Sequence, residues 1–354
     1  MTAFYIIIAI LIFGILIIIH EFGHLTAAKL CGVRVNEFAV GMGPALVKKQ
    51  KGETLFTVRC IPFGGFCAMA GEDEESDDPR AFTSQSAWKR IIILCAGSFN
   101  NFLLGLIIVM ILYSSAEAFY APVIGEFMEG CPYESEELLQ VGDRFLKING
   151  RRVYQLSNVN EFLSADEDGT YDLVIRRDGK RIKLNDIRLE KMEYEGREGK
   201  YIGLLFNAYD EGNFGNVIRY SWNTCMDFGR MIWQSLGQLI HGKVKADDLS
   251  GPVGIVDLMA ETGEQAETVS DGLYSVFYLA AFIAVNLAIM NMLPIPALDG
   301  GRVFLLIVTV IIEAITKKKL DPKYEGYVHA AGLILLLALM AFIMFNDIYK
   351  LIKG

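Results

Sequence analysis

Apolar residues in this 354-residue chain are gathered into a few long runs separated by polar stretches of ordinary composition. Residues 3–19 carry no charge and are mostly Ile, Leu and Phe; the runs 91–113, 273–315 and 328–345 follow. Each is long enough for a helix crossing about 30 Å of hydrocarbon. The third is too long for one crossing and is interrupted by Pro294 and Pro296. The pattern therefore predicts a polytopic α-helical membrane protein with four transmembrane spans, the third of them broken.

The stretches between follow other periods. Residues 33–60 alternate in the strand manner, with Val33, Val35 and Phe38 leading into Gly41-Met42-Gly43-Pro44, and Leu55-Phe56-Thr57-Val58 following a basic tip at Lys48–Lys51. Glycines and apolar residues then mix in Ile61-Pro62-Phe63-Gly64-Gly65-Phe66. One reading is a small membrane-associated β-hairpin; another is a sheet edge that holds an extended peptide by strand addition. Residues 121–184 read as a compact module of strands and one helix. Asn149-Gly150 is a strong hairpin signal, Ser157 is placed to cap a helix through Leu163, and 171–177 pairs with 180–184 around Asp178-Gly179. Residues 216–240 have helical periodicity with Trp222 and Trp233 on the helix, which suits either a membrane interface or packing on the module.

The net charge of −9 argues against nucleic acid as a partner. Basic residues of short loops set the orientation. Lys317, Lys318, Lys319 and Lys323 mark the loop before the fourth span as cytoplasmic, and Arg34, Lys48, Lys49, Lys51, Lys89 and Arg90 place 29–90 on the same side. Lys350 and Lys353 run against this assignment. The first run has no basic residue before Lys29, so it reads as a retained span rather than a secretory signal. Six cysteines show no CxxC spacing. Cys131 and Cys225 both fall in the segment placed outside, where a disulfide is chemically permitted, but free thiols are the expectation.

Candidate chemistry sits at the inner end of the first run, in His20-Glu21-Phe22-Gly23-His24. On a helix, residues i and i+4 share a face, so both imidazoles can reach one zinc with Glu21 beside them. Ionisable groups at membrane depth are costly and point to function. A catalytic zinc takes three protein ligands and keeps a position open for water. Asp299, beside the break in the third run, is the candidate third ligand; the alternative is that it caps the following helix. Zinc, Asp299 and ionised Glu21 sum to zero charge, which lowers the cost of a low-dielectric site.

These residues carry a resemblance. His20-Glu21-Phe22-Gly23-His24, the segment Asn291-Met292-Leu293-Pro294-Ile295-Pro296-Ala297-Leu298-Asp299-Gly300-Gly301 and the module between them resemble the site-2 protease family of intramembrane zinc metalloproteases, bacterial regulator-of-sigma-E protease type. Within the module, Val141–Gly150 resembles the GDxIxxING segment of bacterial PDZ domains. The resemblance implies one zinc per chain held by His20, His24 and Asp299, with Glu21 as catalytic base. It implies substrate contacts at Asn101 and Asn291; Ser98 stands where the family pattern around Asn101 has proline. The usual form has two PDZ domains, and the length here leaves room for one.

The expected division is a first span at 1–30, a cytoplasmic β-rich region at 31–90, a second span at 91–115 and a PDZ-like α+β extracytoplasmic domain at 119–190. An extension with the amphipathic helix at 191–270, the broken third span at 271–316 and a fourth span at 327–350 complete it. The expected setting is a bacterial cell membrane, with lipid as a partner and the active site near the cytoplasmic face. The expected activity is hydrolysis of single-span membrane proteins such as trimmed anti-sigma factors or remnant signal peptides, with a peptide ligand for the PDZ-like domain. A catalytically inactive PDZ-bearing scaffold and a membrane zinc permease are the competing readings. His329 could serve an oxyanion or lie at the interface, and His241 is assigned nothing.

Overall fold

The structure is a computed structural model that describes all residues except 1, 73–75, 166–167, 244–250, 318–321 and 354. Lys318 and Lys319 of the orienting loop thus lie outside the described residues, as do the side chains of His329, Lys350 and Lys353. The chain divides into two compact units, one formed by Met1–Ile108 with Met231–Gly354, the other by Val109–Arg230.

In chain order, the first unit opens with α1 (Thr2–Leu30), β1 (Val35–Lys51), β2 (Thr54–Met69) and α2 (Ala87–Tyr113). The strands β3 (Ala118–Tyr120), β4 (Glu126–Phe127), β5 (Arg144–Ile148) and β6 (Arg151–Arg152) then lead to α3 (Leu156–Ala165). Next come β7 (Thr170–Arg177), β8 (Lys180–Arg188), β9 (Met192–Glu193), β10 (Lys200–Tyr201), β11 (Leu204–Leu205) and β12 (Tyr209–Glu211). Finally α4 (Phe214–Ile240), α5 (Pro252–Glu264), α6 (Val269–Asn291), α7 (Asp299–Thr316) and α8 (Pro322–Lys353) close the chain.

Among the described residues, four helices are long and apolar enough to cross a membrane: Thr2–Leu30, Ala87–Tyr113, Val269–Asn291 and Gly326–Phe345. Ile-rich runs favour strands in water, but hydrocarbon offers no partner for an open amide, and a helix satisfies them all internally. The broken third run is two helices, α6 and α7, joined by a turn over 292–298 that carries both prolines. Along α1, Tyr5, Ala9, Ile12, Leu16, His20, Gly23 and Ala27 form one buried stripe, while Phe4, Ile7, Leu11 and Ile15 are exposed. The stripe's N-terminal half packs on Met259 and Ala260 of α5 and on Val276, Ala280 and Ile283 of α6. No element was expected at α5. Its apolar positions are too few to cross a bilayer, and their burial depends on partners far away in sequence.

The β-region is more folded than a simple hairpin. Residues 37–40 pair with 65–68 on one side (Glu37 opposite Ala68) and with 55–58 on the other (Glu37 opposite Leu55), while 48–51 pair with 54–57. Each long strand bends back where glycines take positive φ, at Gly41 and Gly43 in β1 and at Gly64 in β2. The sheet's inner face joins a core with Leu25 and Ala28 of α1 and Ile93 and Leu94 of α2.

The second unit has a four-stranded sheet in the order β6-β5-β7-β8, covered by α3. Both expected hairpin turns form, with positive φ at Asn149 and Gly150 and at Asp178 and Gly179, the two-residue geometry those sequences favour. Ser157 does not cap α3, which begins at Leu156; instead the Asn158 side chain accepts from the backbone N–H groups of Tyr154 and Gln155. Short strands from beyond residue 190 complete the module, β11 pairing with β4 and β12 with β3. The first half of α4 packs here: Tyr220 stacks on Phe119 at 4.4 Å, and Asp227 accepts from Asn158 at 3.0 Å. All six cysteines are free, Cys131 and Cys225 included, and burial pushes the Cys225 thiol up to about 12.

Candidate metal centre

Three elements of the first unit converge on one point. α1 brings His20 and His24, one turn apart; α7 begins with Asp299; α2 passes behind the imidazoles. The close passage of α2 rests on two glycines. A methyl on Gly23 would strike the Ala96 carbonyl, and one on Gly97 would strike the ring nitrogens of His24 and His20. The turn before α7 is equally tight: a methyl on Gly300 or Gly301 would enter the backbone of Met292 or Ile295. The residue at the N-cap of α7 is Leu298, so Asp299 does not cap the helix and its carboxylate is available elsewhere.

That carboxylate faces both histidines. Asp299 Oδ2 lies 3.1 Å from His20 Nε2 and 3.3 Å from His24 Nε2, and the two nitrogens are 3.2 Å apart. The triangle is nearly equilateral. Ligands about 2.0–2.1 Å from a tetrahedral zinc stand about 3.3–3.4 Å from one another, so three corners of such a site are already in place. With both rings neutral, hydrogen bonds do not account for the cluster. His24 Nδ1 donates to the Ile93 carbonyl at 2.8 Å, which leaves Nε2 with a lone pair in the neutral ring. Asp299 Oδ2, sealed from solvent, has no hydrogen-bond partner despite those short approaches. Lone pairs directed at a common centre fit a cation, and two imidazoles with one carboxylate are a zinc donor set.

Glu21, next to His20, lies beside the β-sheet: its Cγ is 3.4 Å from where a Gly65 methyl would stand, and the Cys67 backbone amide faces its carboxylate. Asn101 is 1% exposed, and its side-chain amide lies 3.5 Å from His20 Nδ1. As oriented, it presents nitrogen to the ring and leaves its own Oδ1 buried without a partner. Turning the amide over places Oδ1 where it accepts from His20 Nδ1–H. His20 would be held as the Ile93 carbonyl holds His24, with Nε2 left for a metal. Asn291, the last residue of α6, is half-buried, with its amide nitrogen 3.5 Å from His20 Nε2.

One further residue was not anticipated from sequence. Arg302, one turn after Asp299, is paired with Glu72, just beyond the end of β2. It ties the helix that carries Asp299 to the sheet that lies against Glu21. Sequence held no signal for it, since the partners are 230 residues apart.

Comparison with known proteins agrees with this chemistry. The profile of Peptidase family M50 matches residues 8–339. A Clostridium acetobutylicum protein provisionally named a zinc metalloprotease is 34% identical over 98% of both chains. Zinc metalloprotease RasP of Geobacillus kaustophilus is 30% identical over 96% of this chain and 97% of its own. Regulator of sigma-W protease RasP of Bacillus subtilis is 28% identical over 97% of each.

Proposed function

The chain belongs to Peptidase family M50, the site-2 type of intramembrane zinc protease, and on that footing we propose that His20, His24 and Asp299 hold the zinc and Glu21 is the catalytic base. The readings as an inactive scaffold or a zinc permease are set aside by that membership. The observation that carries the assignment is the triangle of Nε2, Nε2 and Oδ2 with edges of 3.1, 3.2 and 3.3 Å.

Zinc bound there supplies a Lewis acid for the scissile carbonyl and brings the pKa of a bound water towards neutrality. Glu21 accepts the proton of the attacking water and passes it to the leaving amine. Asn101, expected from the resemblance as a substrate contact, is read here as a positioning residue that fixes the His20 tautomer, given its burial beside that ring, and Asn291 stands where it can donate to the substrate backbone. A helical substrate hides its amides in internal bonds and has to unwind before cleavage. The Gly65–Cys67 stretch of β2, at the edge of the sheet and beside Glu21, supports capture of the unwound segment by strand addition.

Substrates on this reading are single-span membrane proteins of the anti-sigma-factor or remnant signal-peptide type, cut near the cytoplasmic face of a bacterial cell membrane. The module at 119–190, extended by β9–β12, is the PDZ-like extracytoplasmic domain, which binds a peptide end or screens substrate ectodomains. The test is incubation of detergent-purified protein with a single-span substrate, with and without a chelator. Glu21→Gln should lower cleavage by about 10²–10⁴-fold while zinc per chain stays at one. Cleavage that survives the chelator or the Gln variant would refute the assignment.

A further inference from the structure

A cavity of about 360 Å³ opens next to the metal centre. Its walls include Ser98, Phe99 and Phe102 of α2, Trp233 of α4, and Ile289 and Met292 at the end of α6. Two walls touch the site through their neighbours in sequence. Gly97 lies against the Nε2 atoms of His20 and His24, and the Asn291 amide nitrogen is 3.5 Å from His20 Nε2. We infer that this cavity is the pocket for a large apolar side chain of the substrate next to the scissile bond, with Ser98 binding the backbone of that residue. The inference rests on the proteolytic reading above and extends it to substrate choice.

Three features select the occupant. The lining is aromatic and aliphatic apart from Ser98 and Cys95, so it favours an apolar group. Its volume is at the low end for small-ligand sites, room for one large side chain and the backbone that bears it. Ser98 is 4% exposed, and its Oγ has no hydrogen-bond partner, although a helical serine can bond the carbonyl one turn back. A lipid acyl chain would leave that hydroxyl unpaired in a dry site. An unwound peptide offers both an N–H and a carbonyl. The peptide can pair that hydroxyl, and an acyl chain cannot.

The test uses the full chain in detergent, with single-span substrates that differ only in having Ala, Leu or Phe on either side of the cut. The wild type should prefer Phe or Leu over Ala by about tenfold or more in kcat/KM at one of the two positions. Met292→Trp, which narrows the cavity, should shrink or reverse that preference, and Phe99→Ala, at an exposed wall residue, should shift it towards Phe. Ser98→Ala should lower kcat/KM about threefold to tenfold for all three substrates without changing their rank. Zinc per chain reports folding of each variant; should Met292→Trp lose zinc, Phe99→Ala decides. An unaltered ranking in variants that keep zinc overturns the pocket. So does an unaltered ranking with loss of co-purified phospholipid in Met292→Trp, which makes the cavity a lipid site. A wild type that cuts none of the substrates brings down the proteolytic reading itself, a result separate from a wild type that cuts without discrimination.

Discussion

Each unit takes an aspartate out of water, and the two are treated in opposite ways. Asp143, in the second unit, is fully buried. Its two oxygens accept from Arg177 Nε at 2.8 Å, Arg177 Nη2 at 2.7 Å and the Gln140 amide at 2.9 Å, and that pairing holds the Arg177 guanidinium above its usual pKa. Arg177 also donates to the carbonyls of Glu136 and Leu138, so the loop 136–143 is closed around one ion pair. Asp299, in the first unit, has an equally sealed Oδ2 with no hydrogen bond, set against two imidazole nitrogens. A buried charge whose partners come with the fold is part of the scaffold. One that the fold leaves without a hydrogen bond fits the metal site proposed above.

Exchanging each carboxylate should therefore have opposite consequences. Asp299→Asn should strip zinc from the purified protein and lower cleavage at least as far as loss of the general base, about 10²–10⁴-fold, while amide-exchange protection in α1 and α6 stays. Asp143→Ala should leave zinc at one per chain yet destabilise the second unit by about 1–3 kcal/mol, because the Gln140 backbone N–H and the partly exposed Arg177 guanidinium lose the acceptor that closes the loop. Hydrogen exchange along β5 and β7 reads that loss. A variant at Asp143 that sheds zinc, or one at Asp299 that unfolds its helices, would break the contrast.

How far the sequence reveals each unit follows the same line. The apolar runs are legible because hydrocarbon allows one backbone solution, and Asn149-Gly150 and Asp178-Gly179 are legible because few residues tolerate both positive φ values. His20, Glu21, His24 and Asp299 stand out because ionisable side chains in apolar runs demand a reason. What stays hidden depends on distant partners. α5 is recognisable only once Tyr5 and α6 cover it, and the doubled pairing of residues 37–40 comes from bends in both strands. Strands of two or three residues, such as β11 and β12, are too short to leave a period. Asn101 could be picked out by resemblance, but its place behind His20 is a matter of helix packing.

A milder probe is acid. Asp210 is partly buried, which acts to raise its pKa, but the Tyr220 hydroxyl at 2.7 Å and the guanidinium groups of Arg144 and Arg219 outweigh this and hold the carboxyl below its ordinary value. A carboxyl lowered in the folded state contributes stability that is complete above the unfolded value of about 3.9 and is lost as pH falls through the folded one. The second unit should accordingly lose stability as pH falls below about 4. Asp210→Asn should flatten part of that dependence, measured as the urea midpoint against pH. The effect should be smaller than for Asp143, since solvent screens a partly exposed pair.

The smallest test concerns strain. Among the described residues of the second unit, the non-glycine ones with positive φ are Asn149, Asp178 and Asp186, of the types that tolerate it. In the first unit Ala297, two residues before Asp299, has φ of 78°, where a β-carbon costs roughly 1–2 kcal/mol. Ala297→Gly relieves that cost but gives the unfolded chain more freedom, so stability should rise by no more than about 1 kcal/mol. Strain at the turn narrows the positions open to Asp299, and a glycine there should let the carboxylate wander. Zinc should then be lost to a competing chelator about threefold more readily, a change of roughly 0.6 kcal/mol. Equal retention by the Gly variant would mean that the turn is strained without serving the metal, and that the unpaired carboxylate alone sets the first unit apart.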